Sequence, residues 1–133
     1  MGSKITSNVT DRTHRASPKA MGDVAESQAL AWLQARGWQF LQRHYRSPGR
    51  GGGEIDLIMR DPTGVLVFVE VRRRSRSQWG GALASVTRAK QLRIIWAARH
   101  YLRGWVGGPP LCRFDVVALE PEGLRWIEGA FTL

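Results

Sequence analysis

Cysteine is almost absent from this chain of 133 residues. Cys112 stands alone, which excludes an intrachain disulfide framework and a thiolate zinc centre. Histidine is scarce as well, and His14, His44 and His100 are scattered without ligand spacing. No apolar run reaches the roughly 20 residues of a membrane span, and no apolar stretch of signal-peptide type opens the chain. A cytoplasmic protein with no membrane partner is therefore expected. Acidic residues are outnumbered, 11 against 20 Lys and Arg, for a formal net charge of +9. That imbalance in a small domain makes a polyanion, nucleic acid first, the leading partner class.

Against these absences stand a hydrophobic fraction of 43% and six tryptophans, enough for one real core. Residues 1–17 are polar and without hydrophobic period, and read as a disordered tail. Residues 18–133 read as a single domain. Ser17-Pro18 opens a helix, with Ser as N-cap and Pro in the first turn, and Ala25, Ala29, Leu30 and Leu33 recur at helical spacing as far as Gly37. Strands are expected over Trp38 to Arg46, Glu54 to Arg60, Val65 to Arg73, Arg113 to Leu119 and Leu124 to Glu128. A long helix from Ser85 to Arg103 separates the third strand from the fourth, with Ala89, Leu92, Ile95, Trp96 and Leu102 as its inner stripe. The order predicts an α/β fold: an antiparallel meander, then a right-handed crossover adding a parallel strand, in a mixed sheet flanked by helices. Phe68 and Val71 make the third strand apolar on both faces, which suggests a central position.

Carboxylates sit inside the two most apolar strand patterns, Gly53-Glu54-Ile55-Asp56-Leu57-Ile58 and Val67-Phe68-Val69-Glu70-Val71-Arg72. An unpaired buried charge is costly, and a hard divalent cation such as Mg²⁺ or Mn²⁺ compensates several converging carboxylates. The turn Asp61-Pro62-Thr63-Gly64 suits a three-residue loop with Gly64 left-handed. Asp61 then closes on Val65, Asp56 faces Glu70, and Glu54 faces Arg72. Opposed Cβ atoms lie about 5 Å apart, so two ionised acids there raise a pKa or recruit a cation. Glu54 is either a partner of Arg72 or a ligand. Glu26, at the edge of the first helix's apolar stripe, is a third ligand or a rim charge bonded to an arginine.

The same residues resemble the YraN-like family of small bacterial proteins. The match extends over Gly22 to Glu26 with Ala29, the two acidic strands, the Gly80/Lys90 region and Arg113-Phe114-Asp115-Val116-Val117. The resemblance implies a restriction-endonuclease-like core similar to that of archaeal Holliday-junction resolvases. In that superfamily a helix Glu, an Asp and a Glu-x-Lys hold Mg²⁺ around a scissile phosphate, roles that fall on Glu26, Asp56, Glu70 and Arg72. The implied activity is metal-dependent endonuclease hydrolysis, with branched DNA as one substrate class. Arg72 departs from the pattern, because an arginine cannot act as a base at physiological pH but can clamp a phosphate.

Arg73, Arg74, Arg76 and Trp79 leave the acidic strand as a phosphate-contact and stacking segment, although Trp79 could equally pack onto the domain. Arg88 and Lys90, with Arg93, Arg99 and Arg103, charge the second long helix, either as a solvated face or as further nucleic-acid contacts. The run Gly49 to Gly53 lacks the Gly-Lys-Ser/Thr ending and precedes a strand, which rules out a nucleotide phosphate loop. Arg113 and Asp115 share a strand face and read as an internal ion pair. Two rivals to a nuclease remain: a nucleic-acid-binding module with a degenerate site, and a basic adaptor docking an acidic protein. A dimer is compatible with either.

Overall fold

The computed structural model describes residues 17–75 and 81–132. Helix α1 (Pro18–Ala35) is followed by strands β1 (Gln39–Arg46), β2 (Glu54–Arg60) and β3 (Leu66–Arg73). A short helix α2 (Gly81–Ser85) and the longer α3 (Arg88–Leu102) then lead to β4 (Cys112–Glu120) and β5 (Gly123–Phe131). The five strands lie in sequence order, antiparallel throughout except for β3 with β4. This is the mixed α/β arrangement expected of a restriction-endonuclease-like core, and β3 is its central strand.

The two long helices start where their caps dictate. Ser17 Oγ accepts the Ala20 N–H at 3.1 Å, and Pro18 occupies the first turn, where its missing donor is not needed. Thr87 Oγ1 accepts the Lys90 N–H at 3.2 Å and opens α3. Helix α1 buries Ala29 and Leu33 on one sheet face against Leu57, Met59, Val67, Val69 and Val117. Helix α3 covers the other with Ile94, Ile95, Ala97 and Ala98, packed on Ile55, Ile58, Leu66, Phe68 and Phe114. Each large side chain buried there stabilises the fold by about 1.5–3 kcal/mol over its exposed state.

The expected stripe of α3 is met at Ile95 and Leu102, which pack in the core, and missed at its other three positions. Leu92 and Trp96 are 51% and 53% exposed, and Ala89 is exposed too. A helix on a flat sheet buries a narrow face, and Ile94 and Ile95 with Ala98 fill it, turning Leu92 and Trp96 outward.

The Asp61–Gly64 turn is as expected: Asp61 N–H donates to Val65 O at 2.9 Å, and Gly64 has φ 94°. Register follows from that turn, giving Arg60↔Leu66 through Leu57↔Val69. One more step along this register brings Asp56 opposite Glu70, where the regular pairing has stopped.

Candidate active site

At the open end of the β2–β3 pair the Asp56 side chain replaces the ladder. Its Oδ2 accepts the Val71 N–H at 2.8 Å. Alternation also breaks here, because Ile55 and Ile58 both pack on the α3 side while Leu57 and Met59 pack toward α1. Opposite Asp56, between the pairs Arg43↔Leu57 and Tyr45↔Ile55, His44 takes a left-handed φ of 54°. A β1 residue other than glycine in that conformation costs on the order of 1 kcal/mol and marks a place to look for function. The β1–β2 pairing resumes on the same register at Tyr45↔Ile55, so the irregularity is confined to His44 and Asp56.

Glu70 is 3% exposed and hydrogen-bonds with Asp56. Its Oε2 accepts from Arg72 Nη1 at 3.2 Å and lies 3.5 Å from Lys90 Nζ. Burial, then the charge of Asp56 and the hydrogen bond with it, push the Glu70 carboxyl up to about 8 against the pull of Lys90 and Arg72. Glu26 approaches from α1. Its Oε1 accepts from Arg43 Nε at 3.2 Å and contacts His44 Nε2. Burial and the Asp56 charge raise its pKa too, opposed by His44 and Arg43. Asp56 is thus the charge that both other acids feel, although Glu70 does not line the cleft that Glu26 and Asp56 share.

A cleft of about 560 Å³ holds Glu26, Asp56 and Glu54 together with Asp23, His44 and Arg46. Within it Asp23, Glu26 and His44 bring ligand atoms within 4.8 Å of one another. Sequence reasoning passed over His44 as lacking ligand spacing. The available signal was positional, since an antiparallel β1 beside β2 places a residue of its second half opposite Asp56. Asp23 lies one turn before Glu26 and was equally silent.

Arg72 and Glu54 differ from their expected pairing. Glu54 is bound by Arg46 Nη2 at 3.3 Å, its register partner on β1. Arg72 instead donates from Nε to Ser85 Oγ at 3.2 Å and from Nη2 to the Ser85 carbonyl at 3.3 Å, besides its bond to Glu70. The β2–β3 ladder has ended before Glu54, so β1 and α2 supply the partners. Arg73 and Arg74 line a groove between α1 and the β4–β5 turn, with Met21, Trp32 and Leu124. Arg88 donates to Gln91 Oε1 at 3.0 Å and to the Thr132 carbonyl at 3.4 Å. Arg76 and Trp79 lie outside the described residues.

A second acidic group occupies the other end of β2. Asp61 Oδ1 accepts the Thr63 and Val65 N–H groups and the Thr63 hydroxyl, and its Oδ2 takes Arg113 Nη1 at 2.6 Å. Burial alone would raise this carboxyl, but the bonds from Thr63, Arg113 and Val65 outweigh it and hold the group at about 2. Asp115, fully buried, accepts from Arg113, from Trp126 Nε1 and from the Gly129 N–H. The internal ion pair expected of Arg113 and Asp115 is present.

The order of the motifs and the geometry they build can be set beside known proteins. A family model described as "Uncharacterised protein family UPF0102" matches residues 25–119. The chain belongs to this family. A UPF0102 protein of Acidovorax sp. (strain JS42) is 51% identical over 98% of this chain and 96% of its own length. Another, from Albidiferax ferrireducens, is 56% identical over 90% of this chain and 93% of its own length. A third, from Verminephrobacter eiseniae, is 57% identical over 83% and 76%. The YraN-like resemblance is thereby borne out, and UPF0102 membership is consistent with the restriction-endonuclease-like superfamily. The family match spans α1 from Ala25 to Leu119 on β4, and so includes Glu26, Asp56, Glu70 and Lys90. No helix among the described residues is long and apolar enough to cross a membrane.

Proposed function

We propose that this chain binds nucleic acid and carries in its acidic cleft a divalent-metal-dependent endonuclease site. The observation that carries the reading is the coupling of Glu26 and Glu70 to the charge of Asp56, with both glutamates raised from their ordinary values, inside a chain of net charge +9. Oxygen donors in this number suit Mg²⁺ or Mn²⁺, and the imidazole beside Glu26 favours Mn²⁺ further. Asp56 and Glu70, with Glu26 alongside, would hold the ion. Such an ion supplies Lewis acidity at the phosphate and a more acidic water.

The protein's own part is positional. Arg43 and His44 hold the Glu26 carboxylate, and the Val71 N–H fixes Asp56. Arg72, anchored on Ser85, steadies Glu70. The reaction is hydrolysis: a water oxygen bonds to phosphorus, one ester P–O bond breaks, and the protons pass to the leaving alkoxide and to solvent. Arg46, Lys90 and Arg93 lie next to the cleft and suit the phosphates of one strand.

The engagement of Arg72 favours a second reading, a nucleic-acid-binding module that kept the fold and lost turnover. A panel of branched, duplex and single-stranded substrates with Mg²⁺ and Mn²⁺ separates the two. Cleavage by the wild type that disappears in Asp56→Asn is the expected result. Cleavage unchanged in Asp56→Asn would sink the site, and binding with no cleavage of any substrate would leave the module.

A further inference from the structure

Arg72 stands where the superfamily pattern has a lysine directed at the scissile phosphate, yet all three of its guanidinium nitrogens are engaged by Ser85 and Glu70. A different cation reaches the same carboxylate. Lys90 comes from α3 rather than from the strand, and its Nζ lies 3.5 Å from Glu70 Oε2 with 42% of the side chain exposed. An ammonium carries three donors on a flexible stem, so an ion pair at this distance leaves it able to bridge to a further anion.

Its placement is built in twice over. Thr87 caps α3 so that Lys90 falls in the first turn, where a cation opposes the helix dipole and is not explained by it. Gly53, just before β2, lies so close to α3 that a Cβ there would sit 2.3 Å from the Arg93 carbonyl oxygen. Only glycine allows this approach, which fixes the start of β2 against the turn of α3 that follows Lys90. The trough formed there, about 340 Å³, is lined by Lys90, Arg46 and Arg93 with Glu54 as its single acid. It shares Arg46 and Glu54 with the carboxylate cleft.

We propose that Lys90 contacts the reacting phosphate in place of the motif lysine, and that Arg46 and Arg93 take the adjoining phosphate of the same strand. This rests on the nuclease reading, deepens it, and leaves Arg72 as a positioning residue for Glu70.

The test measures binding of a fluorescein-labelled synthetic four-way junction and its component duplex by anisotropy across a salt series. Ca²⁺ replaces Mg²⁺ in the binding arm, and cleavage is followed separately in Mn²⁺. Loss of one phosphate contact in Lys90→Ala should lower the log–log salt slope by about one, and cleavage should fall about 100-fold. Lys90→Arg should restore the slope and part of the rate. Lys90→Gln, close in length but uncharged, gives the same reading should Lys90→Ala disturb α3. A salt slope equal to wild type overturns the proposal even if cleavage falls, because that outcome describes a role exerted through Glu70. A lowered slope with undiminished cleavage overturns it too, placing Lys90 on a non-reacting phosphate. Should the wild type bind without cleaving, the nuclease reading fails and the proposal with it. A wild type that cleaves while Lys90→Ala keeps its slope sinks only the role of Lys90.

Discussion

The two ends of β2 carry acids in opposite conditions. At the Asp61 end, two carboxylates share Arg113 and draw on backbone, hydroxyl and indole donors, and Asp61 is held at about 2. At the Asp56 end, three acids crowd together, and Glu70 is held at about 8 despite two nearby cations. The first cluster is closed, since its charge is already satisfied. At the second, Arg43, Arg72 and Lys90 stand beside the acids, yet burial and the charge of Asp56 still raise both glutamates. Acids that look alike in sequence are thus sorted by donor supply, and donor supply is a tertiary property.

The largest expected effect breaks the closed end. Asp115→Ala leaves Arg113, the Trp126 indole and the Gly129 N–H without their acceptor, and should cost about 3–5 kcal/mol in urea unfolding. Asp56→Asn should cost far less without metal, because it relieves the repulsion that raises Glu26 and Glu70. Equal losses at both ends would remove the distinction.

The next effect is in pH. Glu70 moves from an ordinary 4.5 to about 8 on folding, so between these values the native state keeps a proton that the unfolded chain has released. Stability without metal should be full below about 4.5 and fall as pH rises toward 8, by up to a few kcal/mol. Asp61 runs the other way: its contribution is present above 3.8 and lost as pH falls through about 2. Denaturant midpoints across pH should show both limbs, and Glu70→Gln should flatten only the upper one. An upper limb that persists in Glu70→Gln belongs to another group.

Gly53→Ala comes third. The new methyl must displace α3, at about 1–3 kcal/mol, and should lower cleavage more than its stability loss explains. Smallest is His44→Asn, which tolerates the left-handed φ and should change stability by less than about 0.5 kcal/mol. It removes the imidazole from Glu26, so Mn²⁺ affinity should fall several-fold while Mg²⁺ affinity changes little. Equal losses for the two ions would make His44 a packing residue.

Much of this was legible in the chain. The Asp61–Gly64 turn and two period-2 strands contain the register that brings Asp56 toward Glu70, because hairpin geometry is local. The phase of α3 was legible only in part: Ile95 and Leu102 were expected inside and are, but Leu92 and Trp96 are as apolar as Ile94, and only the sheet chooses between them. Glu54 was assigned to Arg72 on a ladder assumed to continue. Where it stops, β1 supplies Arg46 and α2 supplies Ser85, and hairpin counting carries no knowledge of either. His44 was missed for the same reason, since its meeting with Glu26 joins β1 to α1 across the irregularity at Asp56.

The central claim, that the Asp56 end of β2 is a cation site held open by a proton, is tested most directly by titration calorimetry. Mn²⁺ is added near neutral pH in two buffers of different ionisation enthalpy, to the wild type and to Asp56→Asn. The wild type should bind with release of about one proton per ion, as Glu70 gives up its proton to become a ligand, and Asp56→Asn should bind far more weakly. No binding by the wild type, or the same affinity and proton release in Asp56→Asn, would contradict the account.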